Sequence, residues 1–299
     1  MSTPNIAFLG IGLMGAPMVA RLLAGGFNLC AWNRTFAKAA ALAASGAQAE
    51  PDLQHAVRTA DIVISMLESG AAVGQVIDAA LPALKPGTLW IDMSSTRQDE
   101  AVFFSGKLAA LGFRFLDAPV SGGVAGAEAG TLAIMAGGSV PDFSLATPFL
   151  LAMGRATLVG PAGSGQVAKL CNQLIVGGTL NIVAEALLLA QAAGADPAAV
   201  RAAIRGGFAE SRILEVHGQR MLDRNFLPGG QVKSQLKDLH NVLAAAARAG
   251  VVLPVTALVT QHFQDIATDY PNADQSAALL AVEKLNPGQR LGAGPDKLP

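Results

Sequence analysis

The sequence predicts an α/β protein whose N-terminal half forms a doubly wound, mainly parallel sheet and whose C-terminal half is all helical. Up to about residue 160, short β-rich runs alternate with helical runs, which is the pattern of βαβ units. Beyond that point the β-rich runs stop, and a long apolar helix is predicted at Gly165–Gly194. We therefore expect a sheet domain at residues 1–162, a helical domain built around the long helix at residues 163–286, and a flexible tail at residues 287–299.

Seven runs rich in β-branched and other apolar residues are predicted as strands. They are Asn5–Leu9, Asn28–Trp32, Asp61–Leu67, Thr88–Asp92, Arg114–Ala118, Thr131–Met135 and Thr157–Val159. Helical patterns lie between most of them, for example at Ala16–Ala24 and Thr35–Ala44. Because a helical crossover lets the next strand run in the same direction, the strands are expected to be mainly parallel.

The second half of the chain contains the signals of helix ends. The predicted helices are Gly165–Gly194, Asp196–Gly206, Ser211–Asp223, Gln231–Ala249 and Val255–Asp269. Gly194 and Gly250 suit helix C-termini, where a left-handed residue is common. Asp196 followed by Pro197 is typical of an N-cap with proline at the first helical position. The tail from Asn286 is rich in glycine and proline, which predicts a loose segment.

Composition and charge exclude some classes of function. Of 299 residues, 52% are hydrophobic and 14% are charged, so a second domain or subunit is expected to cover much of the surface. The net charge is −1 without a basic run, which gives nucleic-acid binding no electrostatic support. No signal-peptide pattern precedes the strand at Asn5, and the two cysteines, Cys30 and Cys171, indicate no disulfide framework. A reducing, cytoplasmic location is therefore expected.

The apolar stretch at residues 174–193 has the length of a membrane-spanning helix. It contains Asn181, Glu185 and Gln191, however, and these polar side chains are costly in a bilayer. We therefore expect a buried helix of a soluble protein with no membrane partner, and a subunit interface would account for its apolar surface.

The segment FLGIGLMG, residues 8–15, carries the first functional motif. It contains Gly10-x-Gly12-x-x-Gly15 between a predicted strand and a predicted helix. The first glycine allows a tight turn, the second allows close approach of a pyrophosphate, and the third allows close packing of helix and strand. The motif predicts a Rossmann-type dinucleotide site, and a purely structural turn is the alternative.

The end of the second strand predicts which dinucleotide binds. An Asp or Glu there would accept hydrogen bonds from the ribose 2′-hydroxyl of NAD, but the chain reads Asn33-Arg34-Thr35. Arg34 offers a planar fork suited to a 2′-phosphate, and Thr35 adds a further donor. NADP(H) is therefore the expected cofactor, with NAD(H) possible; stacking of Arg34 on adenine, or simple exposure to solvent, is the alternative.

The segment DAPVSGG, residues 117–123, follows the fifth predicted strand. Ser121, Gly122 and Gly123 place a hydroxyl and unhindered backbone N–H groups at the carboxyl end of that strand. Such a group of donors can hold a small carboxylate. An ordinary loop is an equally good interpretation of this segment alone.

Lys169 is the only charged residue between Arg155 and Glu185, in a mostly apolar stretch. If the helix starts near residue 165, Lys169, Asn172 and Gln173 lie on one face of it. A polar face just after the nucleotide domain suggests the wall of an interdomain cleft. The alternative is a structural lysine that reaches water along its apolar stem.

Taken together, these residues resemble the β-hydroxyacid dehydrogenase family from Asn5 to about Asn286. Four motifs carry the resemblance: the glycine turn with Met14-Gly15, Asp117–Gly123, Gly163-x-Gly165 leading to Lys169-x-x-Asn172, and Lys237-Asp238-Leu239. Two further stretches, AIRGGF at Ala203–Phe208 and DRNF at Asp223–Phe226, resemble the members that reduce tartronate semialdehyde.

The resemblance implies a role for each matching residue. Lys169 would be the general acid that protonates the substrate carbonyl oxygen, and the base in the reverse direction. Asn172 would orient the substrate, while Ser121, Gly122 and Gly123 would hold its carboxylate. The implied cofactor-binding residues are Gly10, Ile11, Gly12, Leu13, Met14, Gly15, Asn33, Arg34, Thr35, Met66, Leu67, Thr96 and Lys237.

The same resemblance implies the reaction and the assembly. The expected reaction is NADP(H)-dependent reduction of a small semialdehyde acid, and the reduction of tartronate semialdehyde to glycerate is the first choice. A homodimer or homotetramer is expected. The alternatives are a 3-hydroxyisobutyrate dehydrogenase or a succinate semialdehyde reductase and, remotely, a non-catalytic NADP-binding scaffold. Such scaffolds replace the lysine that this chain keeps at position 169.

No metal is expected, because His55, His217, His240 and His262 are scattered without the spacing of a ligand set.

Overall fold

The computed structural model describes residues 4–299 and contains two compact units. The first unit ends at Lys169 and the second begins at Leu170, so the division falls within a long helix. The sequence predicts the boundary slightly earlier, between residues 162 and 163. The difference arises because Gly163, just before the long helix, and Gln166 in its first turn are hydrogen-bonded to Asp117 of the N-terminal unit.

The N-terminal unit is built on strands that alternate with helices. The strands are β1 Ile6–Leu9, β2 Leu29–Trp32, β3 Gln48–Ala49, β4 Ile62–Ser65, β5 Leu89–Asp92, β6 Arg114–Asp117, β7 Val120–Ser121, β8 Leu132–Gly137 and β9 Gly154–Gly160. The helices are α1 Gly15–Ala24, α2 Phe36–Ala40, α3 Leu53–Val57, α4 Gly70–Ala80, α5 Gln98–Ala110, α6 Gly123–Ala129 and α7 Val140–Met153. All seven predicted strands are present. The sequence did not reveal β3 and β7, which are too short to show an alternating pattern.

The C-terminal unit is helical. The helices are α8 Ser164–Ala192, which begins in the N-terminal unit, then α9 Pro197–Ala203, α10 Arg212–Leu222, α11 Val232–Arg248, α12 Pro254–Ala267 and α13 Ala278–Leu285. The α/β fold class with a long central helix is therefore confirmed, and α13 is an additional helix that the sequence patterns did not indicate.

Within the described residues, the sheet has the strand order β3-β2-β1-β4-β5-β6-β8-β7, with β9 beside β8. The strands from β3 to β6 pair in parallel, and β8 pairs antiparallel with both β6 and β7. The sheet is thus mainly parallel, as predicted. The parallel strands bring their carboxyl ends to one edge, and α/β proteins bind ligands at that edge.

Alternate residues of each strand enter apolar cores on opposite faces of the sheet. Phe8 and Ile64 belong to the core that contains residues of α1 and α7, whereas Ala7 and Val63 belong to the core that contains residues of α4 and α5. Both faces are therefore covered by helices, which explains why the strands read as continuous apolar runs.

The tail at residues 287–299 is held against the C-terminal unit, so the expectation of a flexible tail is corrected. Leu291 is buried in the helical core, and its carbonyl oxygen accepts a hydrogen bond of 2.8 Å from Arg224 Nη1. The backbone N–H of Phe226 donates to the carbonyl of Lys297, and the N–H of Lys297 donates to the carbonyl of Arg224. Glycine and proline content is a local signal, and it does not reveal partners far away in the chain.

Among the described residues, α8 is long and apolar enough to span a membrane by length and composition. Within its most apolar segment, 44% of the residues are buried inside the protein. A core helix of a soluble protein passes the same test, so this property alone is weak evidence for a membrane span.

Candidate active site

The glycine turn after β1 has the shape that a pyrophosphate requires. Gly10 has φ of +105°, and a Cβ there would lie 2.3 Å from the carbonyl oxygen of Met66. A Cβ on Gly15 would lie 2.0 Å from the carbonyl oxygen of Gly10, so this glycine permits close packing of α1. At Gly12, by contrast, a Cβ would meet no heavy atom of the described residues within 4 Å apart from its chain neighbours, which leaves that backbone open to a ligand.

The start of α1 offers backbone donors to an anion. The cap position, Met14, makes no side-chain hydrogen bond to the helix, and the first turn contains no acidic residue. The N–H groups of the first turn and the positive end of the helix dipole therefore face no competing carboxylate from this turn. Leu13 is 81% exposed beside them, so its side chain does not cover these backbone groups. These residues fit a bound dinucleotide.

Asn33 fixes the shape of the turn from the end of β2. Its Oδ1 accepts a hydrogen bond of 2.9 Å from the backbone N–H of Ile11, and its Nδ2 donates to the carbonyl of Thr35. The N–H of Gly10 donates to the carbonyl of Trp32 in the same region. The Asn33 amide therefore braces two loops of the protein, a role that the sequence did not indicate, and its contact with the cofactor stays a prediction.

Arg34 and Thr35 are exposed immediately after β2. The register places the end of β2 beside the end of β1, because Trp32 pairs with Leu9. Arg34 therefore leaves the sheet at the same edge as the glycine turn. This position suits recognition of a 2′-phosphate on the adenosine ribose of a dinucleotide.

Three polar residues form a row at the carboxyl ends of neighbouring strands. Ser65 of β4 pairs in register with Asp92 of β5, and Asp92 pairs with Asp117 of β6. All three are buried. Asp92 Oδ1 accepts hydrogen bonds from Ser65 Oγ at 2.8 Å and from Ser94 Oγ at 2.7 Å. The ends of β4 and β5, which precede predicted cofactor contacts, are thus joined by buried hydrogen bonds.

Burial governs the protonation of the two carboxyls in this row. It raises the pKa of Asp92 to about 7, against the opposing effect of the hydrogen bonds from Ser94 and Ser65, and the Asp117 carboxyl raises it further. It also raises the pKa of Asp117 to about 6, although backbone N–H groups of Gly163 and Gln166 stabilise the carboxylate. Two neighbouring buried carboxyls are costly to ionise together.

Asp117 holds the start of α8. Its Oδ1 accepts from the backbone N–H of Gly163 at 2.7 Å, and its Oδ2 accepts from the backbone N–H of Gln166 at 2.9 Å. A Cβ on Gly165 would lie 2.4 Å from the carbonyl oxygen of Met135, so the helix approaches the sheet as closely as glycine allows. The Gly163-x-Gly165 spacing therefore serves the docking of α8 on the strand ends.

Lys169 is the sixth residue of α8 and is half-buried. Because Asp117 fixes the first turn of this helix, Lys169 follows at about one turn from the carboxyl edge of the sheet. Lys169 is thus held near the carboxyl edge of the sheet, at which the strand before the glycine turn also ends.

Ser121, Gly122 and Gly123 lie where β7 passes into α6. Ser121 is half-buried, and the two glycines are exposed. Gly122 has φ of +138° and Gly123 has φ of +62°, a backbone that other residues rarely adopt. The segment therefore presents backbone groups without covering side chains, and its role in holding a carboxylate stays a prediction.

Two further predicted residues, Asn172 and Lys237, belong to the C-terminal unit. Asn172 Nδ2 donates to Gln173 Oε1 at 2.9 Å, and Gln173 Nε2 donates to Asp238 Oδ2 at 2.6 Å. Lys237 Nζ lies 3.3 Å from Asp238 Oδ1. Within this unit, Asn172 on α8 and Lys237 on α11 thus belong to one polar cluster, which Gln173 and Asp238 connect.

The fold and the site define the class of the protein, a Rossmann-type NAD(P)-binding protein with a lysine held near the strand ends. Residues 5–177 match the family model described as the NAD binding domain of 6-phosphogluconate dehydrogenase. Residues 163–282 match the model described as NAD-binding of NADP-dependent 3-hydroxyisobutyrate dehydrogenase.

Similar proteins narrow the class to a family. The chain is 39% identical to 2-hydroxy-3-oxopropionate reductase of Escherichia coli (strain K12), over 94% of this chain and 98% of that protein. Mycobacterium tuberculosis 3-hydroxyisobutyrate dehydrogenase, solved with L-serine, is similar with a TM-score of 0.87 and 32% identity, over 94% of this chain and 99% of that chain. Psf3 in complex with NADP+ and 2-OPP is similar with a TM-score of 0.82 and 25% identity, over 93% of this chain and 99% of that chain.

The chain belongs to the β-hydroxyacid dehydrogenase family, as the motifs predicted. It is accordingly an NAD(P)-dependent oxidoreductase.

Proposed function

We propose that the protein reduces a small semialdehyde acid to the corresponding β-hydroxyacid with NADP(H), and that Lys169 supplies the proton. The observation that carries this proposal is the position of Lys169, half-buried on a helix whose first turn is hydrogen-bonded to Asp117 at the carboxyl edge of the sheet. The glycine turn and Arg34 lie after strands that end at the same edge.

The bound nicotinamide would supply the hydride. Lys169 Nζ would donate a proton to the carbonyl oxygen of the substrate as negative charge develops there, and would accept that proton in the oxidation of the hydroxyacid. Asn172 would orient the reacting group. Ser121 and the backbone N–H groups of Gly122 and Gly123 would hold the carboxylate, which an uncovered, positive-φ backbone suits.

We propose tartronate semialdehyde (2-hydroxy-3-oxopropanoate), reduced to glycerate, as the first-choice substrate. The similarity to the Escherichia coli 2-hydroxy-3-oxopropionate reductase supports this choice, together with the AIRGGF and DRNF stretches. Methylmalonate semialdehyde, which gives 3-hydroxyisobutyrate, is the main rival because a structure of similar fold is a 3-hydroxyisobutyrate dehydrogenase. Succinate semialdehyde is the third candidate.

Comparison of kcat/KM for the three semialdehyde acids and for an uncharged aldehyde of equal length tests this proposal. A site with polar partners for the substrate hydroxyl should penalise the methyl analogue, because those partners would lose their hydrogen bonds. Ser121→Ala should raise KM for the acids and leave KM for the uncharged aldehyde unchanged. Equal use of the uncharged aldehyde would refute the carboxylate site, whereas preference for the methyl analogue would change only the substrate.

The cofactor preference gives a separate expected result. Arg34→Ala should lower kcat/KM for NADPH by about 10- to 150-fold, because a charged hydrogen bond of roughly 1.5–3 kcal/mol to the 2′-phosphate is lost. The value for NADH should change little. Arg58→Ala is the matched control, because Arg58 is also exposed but precedes β4, at the amino end of that strand. Equal kcat/KM of the wild type for NADH and NADPH would contradict the proposal.

We further propose that the protein is cytoplasmic and forms a homodimer or homotetramer. Ile175, Ile182 and Leu189 recur every seven residues on α8 and are between 61% and 69% exposed. An apolar stripe with this spacing, uncovered in the single chain, suits contact with a second copy. Sedimentation velocity would give the mass of the assembly.

A further inference from the structure

Gln166 is a completely buried residue in the first turn of α8. Its side-chain Nε2 donates a hydrogen bond of 2.8 Å to the carbonyl oxygen of Ser94, and its Oε1 accepts a hydrogen bond of 3.1 Å from the backbone N–H of Thr96. The side chain therefore binds the loop between β5 and α5 through one donor and one acceptor.

The loop that Gln166 holds is also tied to the loop after β4. Ser94 Oγ donates to Asp92 Oδ1 at 2.7 Å and accepts a hydrogen bond of 2.8 Å from the backbone N–H of Leu67. A continuous series of hydrogen bonds thus runs from Leu67 through Ser94 to Gln166. Leu67 and Thr96 are predicted cofactor contacts, so this series joins two cofactor loops to α8.

We propose that Gln166 is a positioning residue that fixes Lys169 relative to the cofactor loops. Lys169 follows Gln166 by three residues, so the two side chains leave adjacent turns of the same helix. The Gln166 side chain ties this turn of α8 to the loop between β5 and α5. The backbone N–H of Gln166 donates to Asp117 at 2.9 Å. This inference rests on the proposed role of Lys169 as the proton donor.

The two hydrogen bonds of the Gln166 side chain require an amide of this length. A glutamate would keep an acceptor for the N–H of Thr96 but would lose the donor for the carbonyl of Ser94, and it would add a charge in a region that already holds Asp92 and Asp117. Methionine has a similar length and volume but forms neither bond. These two replacements separate the loss of the hydrogen bonds from the loss of packing.

The test compares Gln166→Met and Gln166→Glu with the wild type. We expect Gln166→Met to lower kcat by about 10- to 100-fold, since small displacements of a reacting group cost rates of that order. The dissociation constant for NADPH, measured by fluorescence titration without substrate, should rise several-fold because the loop of Thr96 is released. Gln166→Glu should lower kcat at least as much as Gln166→Met, because its buried carboxyl faces the carbonyl oxygen of Ser94 and adds charge near Asp92 and Asp117.

Gln191→Met is the matched control on the same helix. Gln191 lies near the other end of α8, where its side chain hydrogen-bonds to the backbone of Arg290 and Gly292. It should lower Tm without changing kcat or the NADPH dissociation constant. If Gln166→Met behaves in the same way, with a lower Tm and unchanged kcat, Gln166 has only a structural role and the inference is overturned.

A double mutant distinguishes positioning of Lys169 from an independent effect. If Gln166 acts through Lys169, adding Gln166→Met to Lys169→Ala should leave kcat at the value of Lys169→Ala alone. A further drop as large as the one in the wild-type background would overturn the inference while leaving the proposed function intact. If Lys169→Ala itself keeps wild-type kcat, the proposed function fails, and the positioning role fails with it.

Discussion

Lys169→Ala is expected to lower kcat by about 10²- to 10⁴-fold, which is the usual contribution of a positioned proton donor. The substrate carbonyl would then have to take its proton from water as the hydride arrives. Affinity for NADPH should change little, because the ammonium is assigned to the substrate rather than to the cofactor. Steady-state kinetics and a fluorescence titration with NADPH measure the two quantities separately.

Lys85→Ala is the control for loss of a lysine in the same unit. The Lys85 side chain is 42% exposed and pairs with Asp61 just before β4, at the amino end of that strand. Its replacement should leave kcat unchanged. Wild-type turnover in Lys169→Ala would rule out Lys169 as the acid.

Arg224→Met is expected to destabilise the protein by about 3–5 kcal/mol, the usual cost of removing one partner of a buried ion pair. The Arg224 side chain is 2% exposed. Its Nη1 and Nη2 donate to the two carboxylate oxygens of Glu283 at 2.7 and 2.9 Å, and its Nε donates to Asp296. Methionine would leave the Glu283 carboxylate without its buried partner and would release the tail.

Arg290→Met provides the comparison, because Arg290 also pairs with Asp296 but is 41% exposed. An exposed pair contributes at most about 1 kcal/mol, so this variant should remain close to the wild type. Urea denaturation of the full chain measures both changes in the free energy of unfolding, and proteolysis of the tail provides a second readout. Equal stability of the two variants would show that the Arg224 cluster does not hold the tail.

The sequence was sufficient to predict the features that depend on short stretches of chain. The alternation of strands and helices and the position of α8 follow from hydrophobic periodicity. The glycine turn follows from the glycine spacing of its motif. The glycine turn was predicted from its motif, although only Gly15 is required by packing within the turn; Gly10 is required because its backbone passes close to Met66 on a distant segment. Lys169 was identifiable as a candidate catalytic residue because a single charge in an apolar stretch is conspicuous.

Local patterns could not predict the contacts that shape the site. Asp92 ends a run of apolar residues and shows no feature of its own, yet the parallel register places it between Ser65 and Asp117. Asn33 was expected to face the cofactor, and the fold shows that its amide also braces the turn at Ile11. Each of these contacts joins residues that lie far apart in the chain.

What the sequence by itself determined is therefore the class of fold and the family, together with the segments proposed to carry the chemistry, because these depend on local spacing. The tertiary structure decided how the segments are joined. Gln166 binds a loop about seventy residues earlier in the chain. Arg224 binds the C-terminal tail, whose glycine and proline content predicts a loose segment. Such hydrogen bonds form only after strand register and helix packing have brought the partners together, and no periodicity in the sequence encodes them.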